Sequence, residues 1–487
     1  MRRMFSVLLT VSLLLMVPTG FALAEEPVHL IWWLPSSGDA PVDWPEIEAK
    51  LNEISAQKIG VTCEYKYMSG EQINRAMQVG EYFDIAFTSD YYNSFDTNVA
   101  SGMFMEVSEL VQEYGQDMLP NIPESLWEGV RSGEGIYGIP HMKDYGYEVF
   151  WILDYAYFVD ELGMDPEAMK EMTFDEIEPY LARYKETYPN GYPIKCDKAG
   201  LYCWYYCLVD WTSFDYYIGL DWAKQGTEEE LVVKSALDIP AFVERLGKLH
   251  DWYEKGYINP DAAVIQSLPR SQKGVVQSGS GWYGAESTWA NSMQRPCFIA
   301  RYDGPTINTS SLRGAISAIC SFSEHPVEAM KLINLMNSDM EFRTLARYGI
   351  EGVHYEEVEP GIIRRTETGV ANLNYGGYVH GSYALCPVEA SEFEEVKANP
   401  NQWTEIAERY ENEGNYSAAL GFSFDITPVI DQCLAMKTIW ERYMGELQTG
   451  TLDPAEVLPQ MRAELESVGL NDVIAECQRQ LDAFVGA

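Results

Sequence analysis

Three apolar runs separated by two segments of helical period fix the start of this chain as a layered α/β structure. Residues 29–34 (HLIWWL), 61–67 and 83–87 (FDIAF) are short and rich in β-branched or aromatic side chains. Between the first two, Trp44, Ile47, Leu51 and Ile54 recur at helical spacing after Asp43, with Pro45 in the first turn. Between the second and third, residues 71–79 place Ile73, Ala76 and Met77 on one face. Strand–helix–strand alternation of this kind predicts a parallel sheet with helices on both faces. In open α/β sheets ligands bind beyond the carboxyl ends of the strands. Two polar turns, 35–39 and 88–92, lie on that edge.

The stretch 136–154 (IYGIPHMKDYGYEVFWILD) constrains the middle of the chain. A short strand ends at Pro140, which fixes φ and removes a donor. A polar-aromatic loop with His141, Lys143, Asp144 and Tyr145 leads into a second β-rich run. The pattern predicts a crossover between two lobes with a cleft beside it; an ordinary bend within one sheet is the alternative. Further on, the periodicity predicts helices over 173–188, 239–255 and 323–337, and two more at the C terminus. Strands are predicted near 274–276, 296–300 and 315–320, with Gly304 and Pro305 as a turn. No internal repeat, low-complexity segment or flexible linker separates the parts. Two lobes joined without a linker need short hinge segments, which favours closure around a ligand.

At 487 residues the length suggests two or three domains, and 46% hydrophobic residues allow large cores. The formal charge of −40 argues against nucleic acid and anionic membrane surfaces as partners. The first 24 residues read as an export signal: Arg2 and Arg3, an apolar run over 5–17, then a small-x-small site ahead of Glu25. An exported, extracytoplasmic protein is expected, and no cysteine near the cleavage site encodes a lipid anchor. Nine cysteines are an odd number spread over a long chain, so they do not read as a disulfide framework. Cys203 and Cys207 could share a helix face, and Cys196 could pair with either.

Catalytic signatures are scarce. The sequence has no GxSxG, HExxH or GxxxxGK[ST] motif, and its six histidines lack metal spacing, so neither metal nor cofactor is expected. With 74 acidic residues, a glycosidase pair cannot be judged by counting, because pair separation decides that chemistry. Binding features are richer. Trp33, Tyr91, Tyr145, Trp282 and Tyr378 fall at strand ends or in glycine loops. Flat aromatic faces beside hydroxyl, amide and carboxylate groups suit a sugar, whose C–H face meets the ring and whose hydroxyls take directional hydrogen bonds. Core packing is the competing explanation for each ring.

The order of these elements resembles the family 1 extracellular solute-binding proteins of bacterial ABC importers. The resemblance rests on the leader and first strand, FDIAF with its polar turn, ASGMFM at 100–105, IYGIP at 136–140 and the strand-then-helix over 315–337. Four stretches, 282–286, 348–355 (YGIEGVHY), 421–425 (GFSFD) and 471–484, are similar to a lipoprotein-type subfamily with a characteristic C-terminal domain. The resemblance implies a two-lobed periplasmic-binding-protein-like α/β fold, each lobe a mainly parallel sheet flanked by helices. It also implies a cleft ligand, less firmly a carbohydrate, and a membrane permease partner. The anchor cysteine usual in relatives is missing here. The expected protein is a monomeric, non-catalytic binder of a sugar or oligosaccharide, with lobe one over 27–141 and 298–338 and lobe two over 142–297 and 339–487. Its expected cleft residues are Trp33, Ser36, Asp90, Tyr91, His141, Tyr145, Trp282, Glu286 and Tyr378, with Asp90 and Glu286 accepting hydroxyl protons. A secreted glycoside hydrolase and a peptide or signal-molecule binder remain as alternatives.

Overall fold

The computed structural model describes residues 26–36, 39–213, 215–373 and 376–486; the expected leader, Ser37, Gly38 and Tyr375 lie outside the described residues. The first sheet is built by the alternation in the sequence. Its spatial order is Val61–Met68, Val28–Pro35, Ile85–Thr88, Ile316–Ile319, Ile139–Pro140. The first three strands are parallel and the last two join antiparallel. Helix Trp44–Ile59 ends at Gly60, which takes the left-handed conformation (φ 69°) that lets the chain turn back into the next strand. Helix Gly70–Val79 opens on a capping box between Ser69 and Gln72. Consecutive Trp32 and Trp33 point to opposite faces, Trp32 against Tyr65 and Trp33 against Phe83.

The second sheet has the order Val276–Ser280, Tyr147–Asp154, Cys297–Ile307, Asn415–Tyr416. Its three long strands are antiparallel, a departure from the expected mainly parallel sheet. The central strand shows why the sequence misleads. Val149, Trp151 and Leu153 enter one core while Phe150 and Ile152 enter another. A strand buried on both faces reads as a continuous apolar run whatever its neighbours' direction.

Two further expectations are corrected. Strand Cys297–Ile307 does not stop at Ala300: it continues through Gly304 and Pro305, absorbing them in register shifts around Asp303. Residues 298–306 therefore belong to the second sheet and not to lobe one, and Ile307, at the crossing, packs into the first core. Conversely, Phe342, Ala346, Tyr383, Trp403 and Tyr410 lie in the first core, so helices Met340–Tyr348 and Gln402–Glu413 pack with lobe one, whereas Phe393 and Val396 between them pack against the second sheet. The chain crosses between the lobes three times: from Pro140 to Tyr147, from Ile307 to Ile316, and at Gly414. Thr306 pairs with Tyr147 on one side and with Asn415 on the other, which sets the three crossings side by side. After the third, residues such as Phe422, Cys433, Trp440 and Leu465 complete the second core. Residues 201–208 are a series of turns rather than a helix, and all nine cysteines are free. Among the described residues no helix is long and apolar enough to cross a membrane.

Candidate functional site

The carboxyl edge of the first sheet faces the crossings. Strand Ile85–Thr88 leaves its sheet through a tight bend: the Ser89 hydroxyl accepts from the Tyr92 amide (3.0 Å), and the Asn93 amide donates to the Phe87 carbonyl (3.0 Å). Asn93 takes φ 52°, a conformation asparagine tolerates better than most residues. The bend thrusts Tyr91 outward, leaving it 64% exposed. Its hydroxyl donates to the Gly314 carbonyl (3.0 Å) and lies 3.3 Å from the Tyr378 hydroxyl. Lys143 stands 5.7 Å from the Tyr378 ring centre and is paired with Asp144 at 3.1 Å.

From Tyr378 a row of rings leads across the lobe boundary. Tyr378 and Tyr383 are 6.4 Å apart, Tyr383 and Trp403 4.7 Å, and Trp403 and Trp282 5.0 Å. The middle of the row is buried, whereas Tyr378 and Trp282 are half-buried. The Trp282 indole N–H donates to Gln402 Oε1 (2.9 Å), so only the ring face is left to meet a ligand. Of the nine expected residues, Tyr91, Tyr378 and Trp282 share this row. Asp90 sits on the same exposed bend but turns its carboxyl to Ser310, beside Tyr147, where the surrounding protein raises it against the pull of Arg313.

The remaining residues take other places. Ser36 is half-buried at the strand end, its N–H bonded to the Met68 carbonyl (2.8 Å). Trp33 is wholly buried and stacked on Phe83, a core residue and not a cleft residue. Tyr145 is also core, edge-on to Tyr410 at 4.8 Å. His141 is buried beneath the site. Its Nδ1–H donates to the Tyr378 carbonyl (2.6 Å) and its Nε2 accepts from the Ser317 hydroxyl (2.8 Å). Burial holds this imidazole neutral, down to about 3, and Arg343 acts the same way. It supports Tyr378 rather than offering a donor to a ligand. Glu286 accepts the Gly284 N–H (2.8 Å) at the start of helix Glu286–Met293. Burial raises its carboxyl, and its oxygen is engaged by the turn it closes.

Several residues of the site carry no clear mark in the sequence. Tyr383, Trp403 and Gln402 stand alone or in an amphipathic helix, where Trp403, Ile406 and Tyr410 read as an ordinary core stripe. A second aromatic group, Tyr147, Tyr206 and Tyr202, leads from the first crossing onto the second lobe, with Tyr147 5.1 Å from Tyr206 and 3.4 Å from the Ser310 hydroxyl. Its signal is the density of Tyr and Trp over 202–217. Among the described residues no group of His, Cys, Asp and Glu is arranged to hold a metal ion.

Comparison with known proteins agrees with this geometry. Residues 418–486 match the family described as a domain of unknown function, DUF3502. A "Carbohydrate ABC transporter substrate-binding protein" of Streptococcus pneumoniae is 24% identical over 467 residues, covering 92% of this chain and 89% of the relative. The N-glycan transport solute binding protein NgtS of the same organism superposes with a TM-score of 0.81 at 22% identity, covering 94% of this chain and 99% of NgtS. NgtS in complex with Man1GlcNAc gives 0.71 at the same identity, covering 94% and 100%. The alginate-binding protein AlgQ2 without calcium ion gives 0.58 at 15% identity, covering 94% and 98%. The chain thus has the two-lobed fold of the solute-binding proteins, and its resemblance to the extracellular solute-binding proteins of bacterial ABC importers holds over nearly its whole length.

Proposed function

We propose that this protein captures a carbohydrate between its lobes and delivers it to the permease of an ABC importer. The observation that carries this reading is the row of rings from Tyr91 and Tyr378 to Trp282, which starts on one lobe and ends on the other at the edge where open α/β sheets bind ligands. A sugar stacked on Trp282 and bonded to Lys143 or Asp144 spans residues of both lobes, so its binding is coupled to their arrangement. The carbohydrate-binding relatives support the same class of ligand.

The protein is read as a binder and not a catalyst. The carboxylates near the rings are engaged: Asp144 by Lys143, Glu286 by its own helix start, and buried Glu148 by Arg301 and Arg409. Export by a leader cleaved before Glu25 and action as a monomer complete the reading.

Thermal melting of the chain from Glu25 onward against oligosaccharides, short peptides and polyamines tests it. A sugar at 100 times its Kd adds about 2.7 kcal/mol and several degrees. Trp282→Ala and Tyr378→Ala should each weaken that sugar by about tenfold, the worth of one stacked ring. A peptide or amine hit alone, or a sugar that is consumed, refutes the proposal.

A further inference from the structure

Helix Gln402–Glu413 belongs to the first lobe by its core residues, yet its other contacts reach the second lobe along its whole length. At its start, Gln402 accepts the Trp282 indole N–H and Trp403 packs on the Trp282 ring. Gln402 is buried, and the loop is shaped to admit it. Gly284 has φ 113°, and a Cβ there would come within 2.4 Å of Gln402 Oε1. Two turns on, the Arg409 guanidinium lies 4.7 Å from the centre of the Tyr283 ring and donates to the Glu148 carboxylate. At the end of the helix, Glu413 accepts from Arg301 (3.1 Å).

The second-lobe partners are themselves connected. Glu148 is wholly buried, one residue beyond the first crossing, and accepts from Arg301 (3.1 Å) as well as from Arg409. Its backbone carbonyl accepts the Gly281 N–H (3.1 Å), the residue before Trp282. Arg301 also binds Glu171, and the Tyr283 hydroxyl donates to the Lys170 carbonyl (2.8 Å). The ring at the second-lobe end of the row is therefore gripped from the first lobe by one helix, and that helix is tied by charges to the strands leaving the hinge.

We propose that helix Gln402–Glu413 is the positioning element of the cleft, with Gln402 and Arg409 fixing the Trp282 ring and coupling its orientation to the hinge. This rests on the carbohydrate-binding reading only for its effect on affinity; the positioning itself needs no ligand. An ion network buried on both sides keeps its geometry better than an exposed pair. The indole N–H bond leaves one orientation of the ring face presented. Gln402 and Arg409 act through Trp282 and touch no ligand themselves.

The test uses the whole exported chain labelled with 5-fluorotryptophan. The Trp282 fluorine resonance is assigned by its loss in Trp282→Phe. In the ligand-free protein, Gln402→Leu and Arg409→Met should each shift or broaden that resonance, whereas Gln402→Glu, which keeps the acceptor, should leave it near its original position. With a sugar identified by melting, Gln402→Leu should weaken binding about fivefold, the worth of one ordinary hydrogen bond, and Gln402→Glu should restore most of it. A Trp282 resonance unmoved in both Gln402→Leu and Arg409→Met overturns the proposal. If Gln402→Leu fails to fold, Arg409→Met decides alone, since Glu148 keeps Arg301 as partner. A wild-type protein that binds no sugar refutes the functional reading and leaves the fluorine result to stand on its own.

Discussion

At the scale of single residues, the buried histidines make the sharpest prediction. His141 and His380 are both wholly or almost wholly buried, and burial pushes both below their ordinary value of 6.5, His141 to about 3. The unfolded chain takes up a proton near pH 6.5 that the folded chain refuses. The contribution of each neutral histidine to stability is therefore full above about pH 6.5 and is lost as pH falls toward its folded value, by about 1.4 kcal/mol per pH unit. Asp210 works in the opposite direction, because burial raises its carboxyl to about 7. The difference between His141→Gln and the parent isolates the histidine from that opposing group. Urea unfolding at pH 7, 6 and 5 should show the cost of His141→Gln shrinking as pH falls. A cost independent of pH would mean that His141 takes up its proton at the same pH in the folded and unfolded chain. The same residue shows what sequence conveys at this scale. Its place in a polar loop was legible, but its two hydrogen bonds come from Tyr378 and Ser317, each more than 170 residues away. Trp33 likewise reads as an aromatic at a strand end, and only the Phe83 ring stacked on it makes it core.

At the scale of elements, helices and strands were largely legible because their periods are local, and their partners were not. The helix over 174–187 begins at the Thr173 cap that its sequence announces, with Glu176 closing the capping box. Nothing local in Gly304 and Pro305 says that a strand bulges through them, since the same pair would suit a turn. Nor does the stripe of Trp403, Ile406 and Tyr410 say which lobe it fills. The second crossing shows what such long-range partners do. Arg313 is buried, and its guanidinium donates to the Gly129 carbonyl (2.6 Å), to Asp96 (2.7 Å) and to the Ser423 hydroxyl. It ties the segment between Ile307 and Ile316 to the first lobe and to the C-terminal domain at once. Arg313→Met keeps the length of the side chain but strands a buried carbonyl, so it should cost about 2–3 kcal/mol in urea unfolding. A loss below about 0.5 kcal/mol would show that water or a neighbour satisfies these groups.

At the scale of the whole molecule, the three crossings decide how the lobes can move. They lie side by side where Tyr147, Thr306 and Asn415 pair, so bending is concentrated on one line of backbone. Rotation about that line brings the edge carrying Tyr91 and Tyr378 toward or away from the second lobe while each core moves as a unit. Trp282 is held by helix Gln402–Glu413 of the first lobe, whereas Tyr202 and Tyr206 belong to the second lobe alone. A ligand that touches only Trp282 and Tyr378 gains little from closure, and one long enough to reach Tyr202 and Tyr206 gains more. A ligand shifts the lobe equilibrium only by its differential affinity for the two arrangements, and a swing from 1:99 to 99:1 needs about 10⁴-fold. Small-angle scattering should therefore show the radius of gyration falling with saturating oligosaccharide and changing less with a monosaccharide of the same terminal unit. Equal contraction with both would mean that Trp282 and Tyr378 alone drive closure. No contraction with either, at proven saturation, would mean that the lobes are already fixed by the Arg301, Arg409 and Glu148 network and that the sugar enters a preformed groove.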